Sequence, residues 1–320
     1  YFKDAWIRFR KSKASVVAAI IIIAIIIFSI VTPLLVTTHD GSFMVSYYAK
    51  KPARVEWLRD NFGILDGGVD RENVSDAELI RLLAIGIGAE NKDGKGATVK
   101  QGQDSKYSVL LFQGEPEKAM HGKRQGFQHD VRVDTYLEVG FLYDSIRQSE
   151  LQNILDFQER TGLQVLYPLV AANEYNPKPD DANMWYKATG IGKPVSVDAE
   201  GNATSIKYST DMMLEDNYKR NANGDLVFYE YTGGGSVETA QYKIRVLYYN
   251  YYQYLYGFAP DYLMGTESQG YDMALRIAGG IQLSLVIAVF VCVINFIIGA
   301  MYGAVEGYYG GVHPTERVGV

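Results

Sequence analysis

Residues able to carry out catalytic or metal chemistry are few in this sequence, and their spacing fits no known site. The four histidines are scattered along the chain: His39, His121, His129 and His313. This distribution lacks the close ligand spacing of a zinc site. The sequence also lacks the motifs of phosphate-binding loops, HExxH metalloproteases and GxSxG hydrolases. We therefore expect a protein that is not an enzyme, with no catalytic residue and no metal ligand.

The acidic residues and the cysteine exclude further functions. Asp130, Asp134 and Glu138 lie in a strand-like stretch, where alternate side chains face opposite sides, so we expect them simply to face solvent. The single cysteine, Cys292, lies in an apolar run, so no disulfide is expected in the polar middle. With a net charge of -6, the chain is not expected to bind nucleic acid.

Two uncharged apolar runs predict two transmembrane helices, at residues 14–36 and 283–303. At about 1.5 Å per residue each run is long enough to cross a hydrocarbon core of about 30 Å. A signal peptide would have a shorter apolar region and a small-residue cleavage site, so a retained first helix is favoured. In the second run Gly299, Gly303 and Gly307 are spaced four apart, which predicts close packing against another helix unless the spacing arose by chance.

The segment before the first run predicts the orientation of the chain. Its cations include Arg8, Arg10, Lys11 and Lys13. Cations beside a span favour the cytoplasmic side, so residues 37–282 are expected outside the cytoplasm. Residues 1–13 are predicted to form an amphipathic helix that contacts membrane lipids at the inner surface. The alternative is a solvated basic tail.

The polar middle, residues 37–262, is predicted to be an α+β domain. Capping boxes at Ser75 and Ser149 predict helices, the second ending at Gly162. Strand-like runs are Ser108–Phe112, Val131–Phe141, Leu163–Tyr167, Leu226–Tyr231 and Tyr242–Leu247. Tyrosines are dense from Tyr242 to Tyr262, and we interpret them as a half-buried strand with its flank, or as a belt at the outer leaflet, rather than as a substrate surface.

Two patterns of residues lie beside the two predicted spans. The pattern W-x-R-F-x-[KR]-[NS]-[KR] before the first span is matched by Trp6, Arg8, Phe9, Lys11, Ser12 and Lys13. The second pattern surrounds the second span. It is matched by Gly265, Thr266, Gly270, Asp272, Arg276, Gly280, Ser284, Leu285, Gly303, Gly307, Tyr308, Gly310 and Gly311. Through these patterns both ends of the chain resemble one family, the C-type permease subunits of bacterial oligopeptide and dipeptide ABC importers.

Two positions depart from that second pattern. Glu267 stands where the family usually has Asp, which keeps the charge. Tyr271 stands where the family usually has Arg, which removes a cation. We expect residues 263–282 to form the family's signature segment at the outer membrane face, and residues 304–320 to form a cytoplasmic turn.

The resemblance implies a multi-pass protein of the bacterial plasma membrane, of which this chain would be an N-terminal fragment with a large extracytoplasmic insertion. The implied partners are a second permease subunit, two ATPase subunits that bind ATP and magnesium, and an extracytoplasmic peptide-binding lipoprotein. The chain itself would bind no cofactor. The alternative is a two-span sensor with an external ligand-binding domain, in which a polar signalling helix would follow the second span.

Overall fold

The computed structural model describes residues 2–90, 97–121, 124–172, 179–186, 196–197, 203–204 and 213–310. Two compact units are present: a helical unit of Tyr1–Met44 with Tyr271–Val320, and a domain of Val45–Gly270. The helices are α1 (Phe2–Lys11), α2 (Lys13–Leu35), α3 (Glu56–Phe62), α4 (Asp76–Glu90), α5 (Val99–Gln103), α6 (Gln148–Thr161), α7 (Tyr248–Tyr256) and α8 (Met273–Gly310). The strands are β1 (Gly68–Ser75), β2 (Ala97–Thr98), β3 (Leu110–Gln113), β4 (Glu117–His121), β5 (Arg124–Asp134), β6 (Phe141–Arg147), β7 (Leu166–Tyr167), β8 (Ser196–Val197), β9 (Ala203–Thr204), β10 (Met213–Leu214), β11 (Tyr229–Gly233) and β12 (Gln241–Leu247).

The helical unit contains two helices, α2 and α8, that are long and apolar enough to cross a membrane. Helix α2 begins after Ser12, whose Oγ accepts a hydrogen bond from the Ser15 backbone N–H at 3.3 Å. Helix α8 is longer than the predicted second span, because it begins at Met273 and continues to Gly310. Residues 304–310 are therefore helical and not the expected turn, and residues 311–320 lie outside the described residues.

Two four-stranded antiparallel sheets frame the described part of the domain, besides the two-stranded pairs β2–β10 and β8–β9. In the first sheet, β5 pairs with β1, β3 and β4. In the second, β12 pairs with β6, β7 and β11, and its pairing with β6 runs from Leu247 opposite Phe141 to Gln241 opposite Arg147. The mixture of helices and sheets between the two long helices agrees with the predicted membrane protein carrying an inserted α+β domain.

The core of the domain lies around α4. The predicted cap at Ser75 is confirmed, since its Oγ accepts a hydrogen bond from the Glu78 N–H at 3.3 Å. Helix α4 is buried over most of its length, as expected from its apolar run Leu82–Ala89. Trp185 is fully buried beside it and donates its indole N–H to the Ala84 carbonyl at 2.9 Å.

The predicted strand Val131–Phe141 is wrong in its second half, because β5 ends at Asp134. The Oδ1 atom of Asp134 accepts hydrogen bonds from the N–H groups of Tyr136, at 2.9 Å, and Leu137, at 3.2 Å. These bonds turn the chain into a short 3₁₀ helix, Leu137–Val139. The other predicted strands exist with shifted or shorter bounds.

Asp134 also corrects the expectation that the acidic residues of this stretch face solvent, because it is fully buried. Its Oδ1 lies 3.5 Å from Nη1 of Arg54, which is 1% exposed. The Arg54 Nη2 donates to the hydroxyl of Tyr249 at 3.3 Å. Asp130 is exposed as expected, whereas Glu138 is half-buried and pairs with Arg71 at 2.7 Å.

The structure tests two further predictions for the domain. Helix α6 exists and ends at Gly162 with φ +72, but it begins at Gln148 without a side-chain cap, so the predicted cap at Ser149 is wrong. The tyrosine-rich segment comprises strand β12 and helix α7, which follows that strand directly, so its flank is helical. Most of its tyrosines are buried: Tyr248, Tyr249, Tyr251 and Tyr252. Their burial favours the structural interpretation over a substrate surface.

The ion pair between Asp66 and Arg132 should make the stability of the domain depend on pH. Asp66 accepts hydrogen bonds from Arg132 Nε at 2.7 Å and Nη2 at 2.8 Å, and these hold the pKa of Asp66 below its ordinary value. A lowered folded-state pKa means that the stabilisation is present at neutral pH and is lost as the pH falls through that value. Because Arg132 is 33% exposed, solvent limits the effect, and Asp66→Asn should cost about 1 kcal/mol at pH 7.

This cost should shrink as the pH falls below about 4. Urea unfolding of the full chain at several pH values, followed by the fluorescence of buried Trp185, measures it. The Asn side chain still offers an oxygen to the Gly68 N–H, which Asp66 accepts at 2.9 Å. A loss in stability that does not change with pH would contradict the ion-pair account.

Candidate functional site

The cations predicted to orient the chain lie around the junction of α1 and α2. They are Arg8, Arg10, Lys11 and Lys13. The first three lie in the last turn of α1, and the fourth begins α2. Trp6 and Phe9 stack on α1 with ring centroids 5.6 Å apart. Helix α1 thus combines cations with an aromatic pair, a combination typical of interfacial helices.

The predicted signature segment divides between the two units. Its first part lies in the domain, where the segment that leaves the domain pairs with the segment that enters it. We call residues 45–54 and 262–270 together the neck. Its backbone hydrogen bonds run from Arg54 N to Tyr262 O (2.9 Å), Tyr262 N to Arg54 O (2.7 Å), Thr266 N to Lys51 O (2.9 Å), Lys50 N to Glu267 O (2.9 Å) and Val45 N to Gly270 O (3.1 Å). The signature position Glu267 therefore contributes its backbone carbonyl to the neck.

Two signature glycines are required by the close approach of the neck segments. Gly265 has φ +75 and Gly270 has φ +90, a region that other residues rarely adopt. A Cβ atom at Gly270 would collide with the carbonyl of Val45, and one at Gly265 would collide with the carbonyl of Lys51. Backbone atoms cannot rotate away as side chains do, so glycine is needed at both positions.

Thr266 joins the two segments through its side chain. It is 3% exposed, and its hydroxyl oxygen accepts a hydrogen bond from the Lys51 N–H at 2.9 Å. The same hydroxyl donates to the carbonyl of Tyr48. A hydroxyl can donate and accept at once, which explains threonine here. Burial also lowers the pKa of the Lys51 amine.

The second part of the signature lies in the helical unit, where Asp272 starts α8. Its Oδ1 accepts hydrogen bonds from the N–H groups of Ala274 at 2.8 Å and Leu275 at 3.2 Å, which is an N-cap arrangement. Its Oδ2 lies 3.1 Å from Nε2 of His39, and both side chains are almost completely buried. Sequence reasoning missed His39, because only the fold brings it to Asp272.

Tyr271, which stands where the family pattern has Arg, contacts Arg276. The Arg276 guanidinium lies over the Tyr271 ring, 4.3 Å from its centroid, in a cation–π contact. Ser284 donates its hydroxyl to the Gly280 carbonyl of its own helix at 2.8 Å.

A contact between α2 and α8 was not predicted from the sequence. Pro33 lies inside α2 and has no N–H to give to the carbonyl of Ser29. Gln282 of α8 donates its Nε2 to that carbonyl at 2.6 Å. Ser29 and Thr32 are the buried residues of α2. A proline in one apolar helix and a glutamine at the edge of the other were the available signals.

The three glycines predicted for helix packing face open space. A Cβ atom at Gly299, Gly303 or Gly307 would meet no described atom of this chain within 4 Å. Their packing against a further helix stays a prediction. Among the described residues, no group of three or more His, Cys, Asp or Glu side chains is arranged to hold a metal ion.

Comparison with known proteins concerns the first part of the chain. Residues 1–52 match the family described as the N-terminal transmembrane domain of oligopeptide transport permease C. A 51-residue segment is 41% identical to the dipeptide transport system permease protein DppC of Bacillus subtilis (strain 168), and it spans 16% of each chain. No solved structure matches the chain. Residues 1–52 are therefore similar to the N-terminal transmembrane domain of oligopeptide transport permease C.

Proposed function

We propose that the chain is part of a transmembrane permease subunit of an ABC importer for oligopeptides, and that it forms part of the translocation pathway. The observation that carries the proposal is the match of residues 1–52 to the permease family. The roles of the signature residues support it: Gly265 and Gly270 allow the neck to close, and Asp272 begins α8. A permease that carries a domain between its first two spans would need both roles, one to join the two ends of the domain and one to start the second span.

The proposed subunit works with partners. A second permease subunit completes the pathway, and two ATPase subunits bind ATP and magnesium, so this chain carries out no nucleotide chemistry. The cations of α1 hold the N-terminus at the cytoplasmic face of a bacterial plasma membrane, and residues 37–282 lie outside. The importer proposal is tested by uptake of labelled oligopeptides into cells with and without the full-length subunit. Unchanged uptake would contradict it.

The orientation is tested separately with single cysteines. In a Cys292→Ser background, Arg10→Cys on α1 and Asn223→Cys, exposed in the domain, give one reporter on each side. A membrane-impermeant maleimide added to intact cells should label position 223 and leave position 10 unlabelled. Labelling of position 10 alone would contradict the proposed topology and indicate the opposite orientation.

For the inserted domain we propose that it docks or orients an extracytoplasmic peptide-binding lipoprotein. The neck defines where the domain can be deleted, because the backbones of Arg54 and Tyr262 donate a hydrogen bond to each other. Replacing residues 55–261 by Asn-Gly, which suits a two-residue turn, should preserve the neck. We expect the full-length complex to assemble with its ATPase subunits but to lose its association with the binding protein.

A control carries Asn-Gly inserted after Gly224, in an exposed turn of the intact domain, and should retain that association. Association that survives the deletion would disprove docking while leaving the importer proposal standing. The sensor alternative draws support from one observation, the unbroken continuation of α8 to Gly310. It predicts that the chain never co-purifies with ATPase subunits.

A further inference from the structure

We infer that Gln282 is a positioning residue, which fastens α8 to α2 by replacing the hydrogen bond that Pro33 removes from α2. The donor is Gln282 Nε2 and the acceptor is the backbone carbonyl of Ser29, 2.6 Å apart. In an α-helix this carbonyl would accept the N–H of the residue four positions later, which here is Pro33.

The apolar surroundings strengthen the need of both the Ser29 carbonyl and the Gln282 amide for a hydrogen-bond partner. Helix α2 is apolar over its whole length and contains no charged residue after Lys13. A backbone carbonyl without a partner is costly in hydrocarbon, and in membrane proteins a neighbouring helix commonly supplies the missing donor. The side-chain amide of Gln282 has the same need, because it stands at the start of the apolar run of α8. Separating the helices would leave both groups unpaired.

The local packing directs the glutamine to the carbonyl. Ser29 is fully buried and Thr32 is 3% exposed, and such small residues allow two helices to approach. The Ser29 hydroxyl donates to the Ile26 carbonyl at 2.8 Å, within its own helix. The described contact with Gln282 is therefore made by the backbone of residue 29, at a position fixed by the proline.

A double-mutant cycle tests this inference. Gln282→Met keeps the length of the side chain and removes its N–H donors, whereas Pro33→Ala restores an N–H to α2. The full chain in detergent micelles is followed by hydrogen–deuterium exchange of peptides that cover the last two turns of α2. We expect Gln282→Met alone to accelerate exchange there about threefold to tenfold. This factor corresponds to the free energy that one interhelical hydrogen bond contributes in membranes.

In the Pro33→Ala background the same substitution should change exchange less than twofold, because residue 33 now donates to Ser29. Equal acceleration in both backgrounds would overturn the inference, and so would no acceleration in the Pro33 background. Ser284→Ala is the matched control, since that hydroxyl bonds only within its own helix in the structure. Exchange of the β5 and β12 amides in the same samples reports whether the domain is folded. The test needs no transport, so its outcome is independent of the proposed function.

Discussion

Replacing Gly270 with alanine should lower the free energy of unfolding of the domain by about 3 kcal/mol. Two costs combine: a side chain at φ +90 strains the backbone, and its Cβ atom collides with the carbonyl of Val45 across the neck. The collision cannot be relieved by a rotamer change, because the opposing atom belongs to the backbone. Relief requires the two neck segments to separate, which breaks their hydrogen bonds.

Gly257→Ala separates these two costs. Gly257 has φ +81, similar to that of Gly270, but a Cβ atom there meets no atom of the described residues within 4 Å. This control should lose about 1 kcal/mol, which is the cost of the backbone conformation alone. The urea midpoint of the full chain, monitored by Trp185 fluorescence, gives both values. Equal losses in the two variants would show that the neck does not depend on close approach at Gly270.

Replacing Arg54 with methionine should destabilise the domain by about 3 kcal/mol, the lower end of the loss on removing one partner of a buried ion pair. The substitution removes the guanidinium 3.5 Å from the buried carboxylate of Asp134, while Arg59 still lies 3.8 Å from the other carboxylate oxygen. It also removes the cation that lies 5.3 Å from the ring centroid of Tyr136 and 4.9 Å from that of Tyr249. The same unfolding experiment measures the loss.

The double variant Arg54→Met with Asp134→Asn identifies the cause of that loss. Asparagine keeps an oxygen that can accept the N–H groups of Tyr136 and Leu137, as Oδ1 of Asp134 does. Because asparagine carries no charge, the double variant should recover most of the stability lost in Arg54→Met. If it is as unstable as the single variant, lost packing around the arginine and not the lost ion pair with Asp134 is responsible.

The sequence-based predictions succeeded where the signal was local. Apolar run length predicted α2 and α8, the Ser75 capping box predicted the start of α4, and Gly162 predicted the end of α6. They failed where a side chain redirects the backbone. Asp134 ends β5 by capping the following turn, although the apolar pattern continues through it.

The candidate site was predicted as a pattern, but its contacts were not. The family resemblance identified Thr266 and Asp272, whereas nothing in the local sequence indicates their partners Lys51 and His39. Those partners lie more than 200 positions away along the chain. Pairing over such separations depends on the whole fold, so composition and periodicity could not predict it.

The neck also has a consequence for synthesis. The Lys51 N–H and the Thr266 hydroxyl that accepts its hydrogen bond are separated by 215 residues. At an elongation rate of up to about 20 residues per second, at least about ten seconds pass before the second segment follows the first out of the ribosome. For about half of that interval, between the synthesis of β6 and that of β12 about 100 residues later, β6 has no β12 to pair with, so the nascent domain exposes an unpaired strand edge. Chaperones that shield such strand edges should therefore matter while this domain is being synthesised.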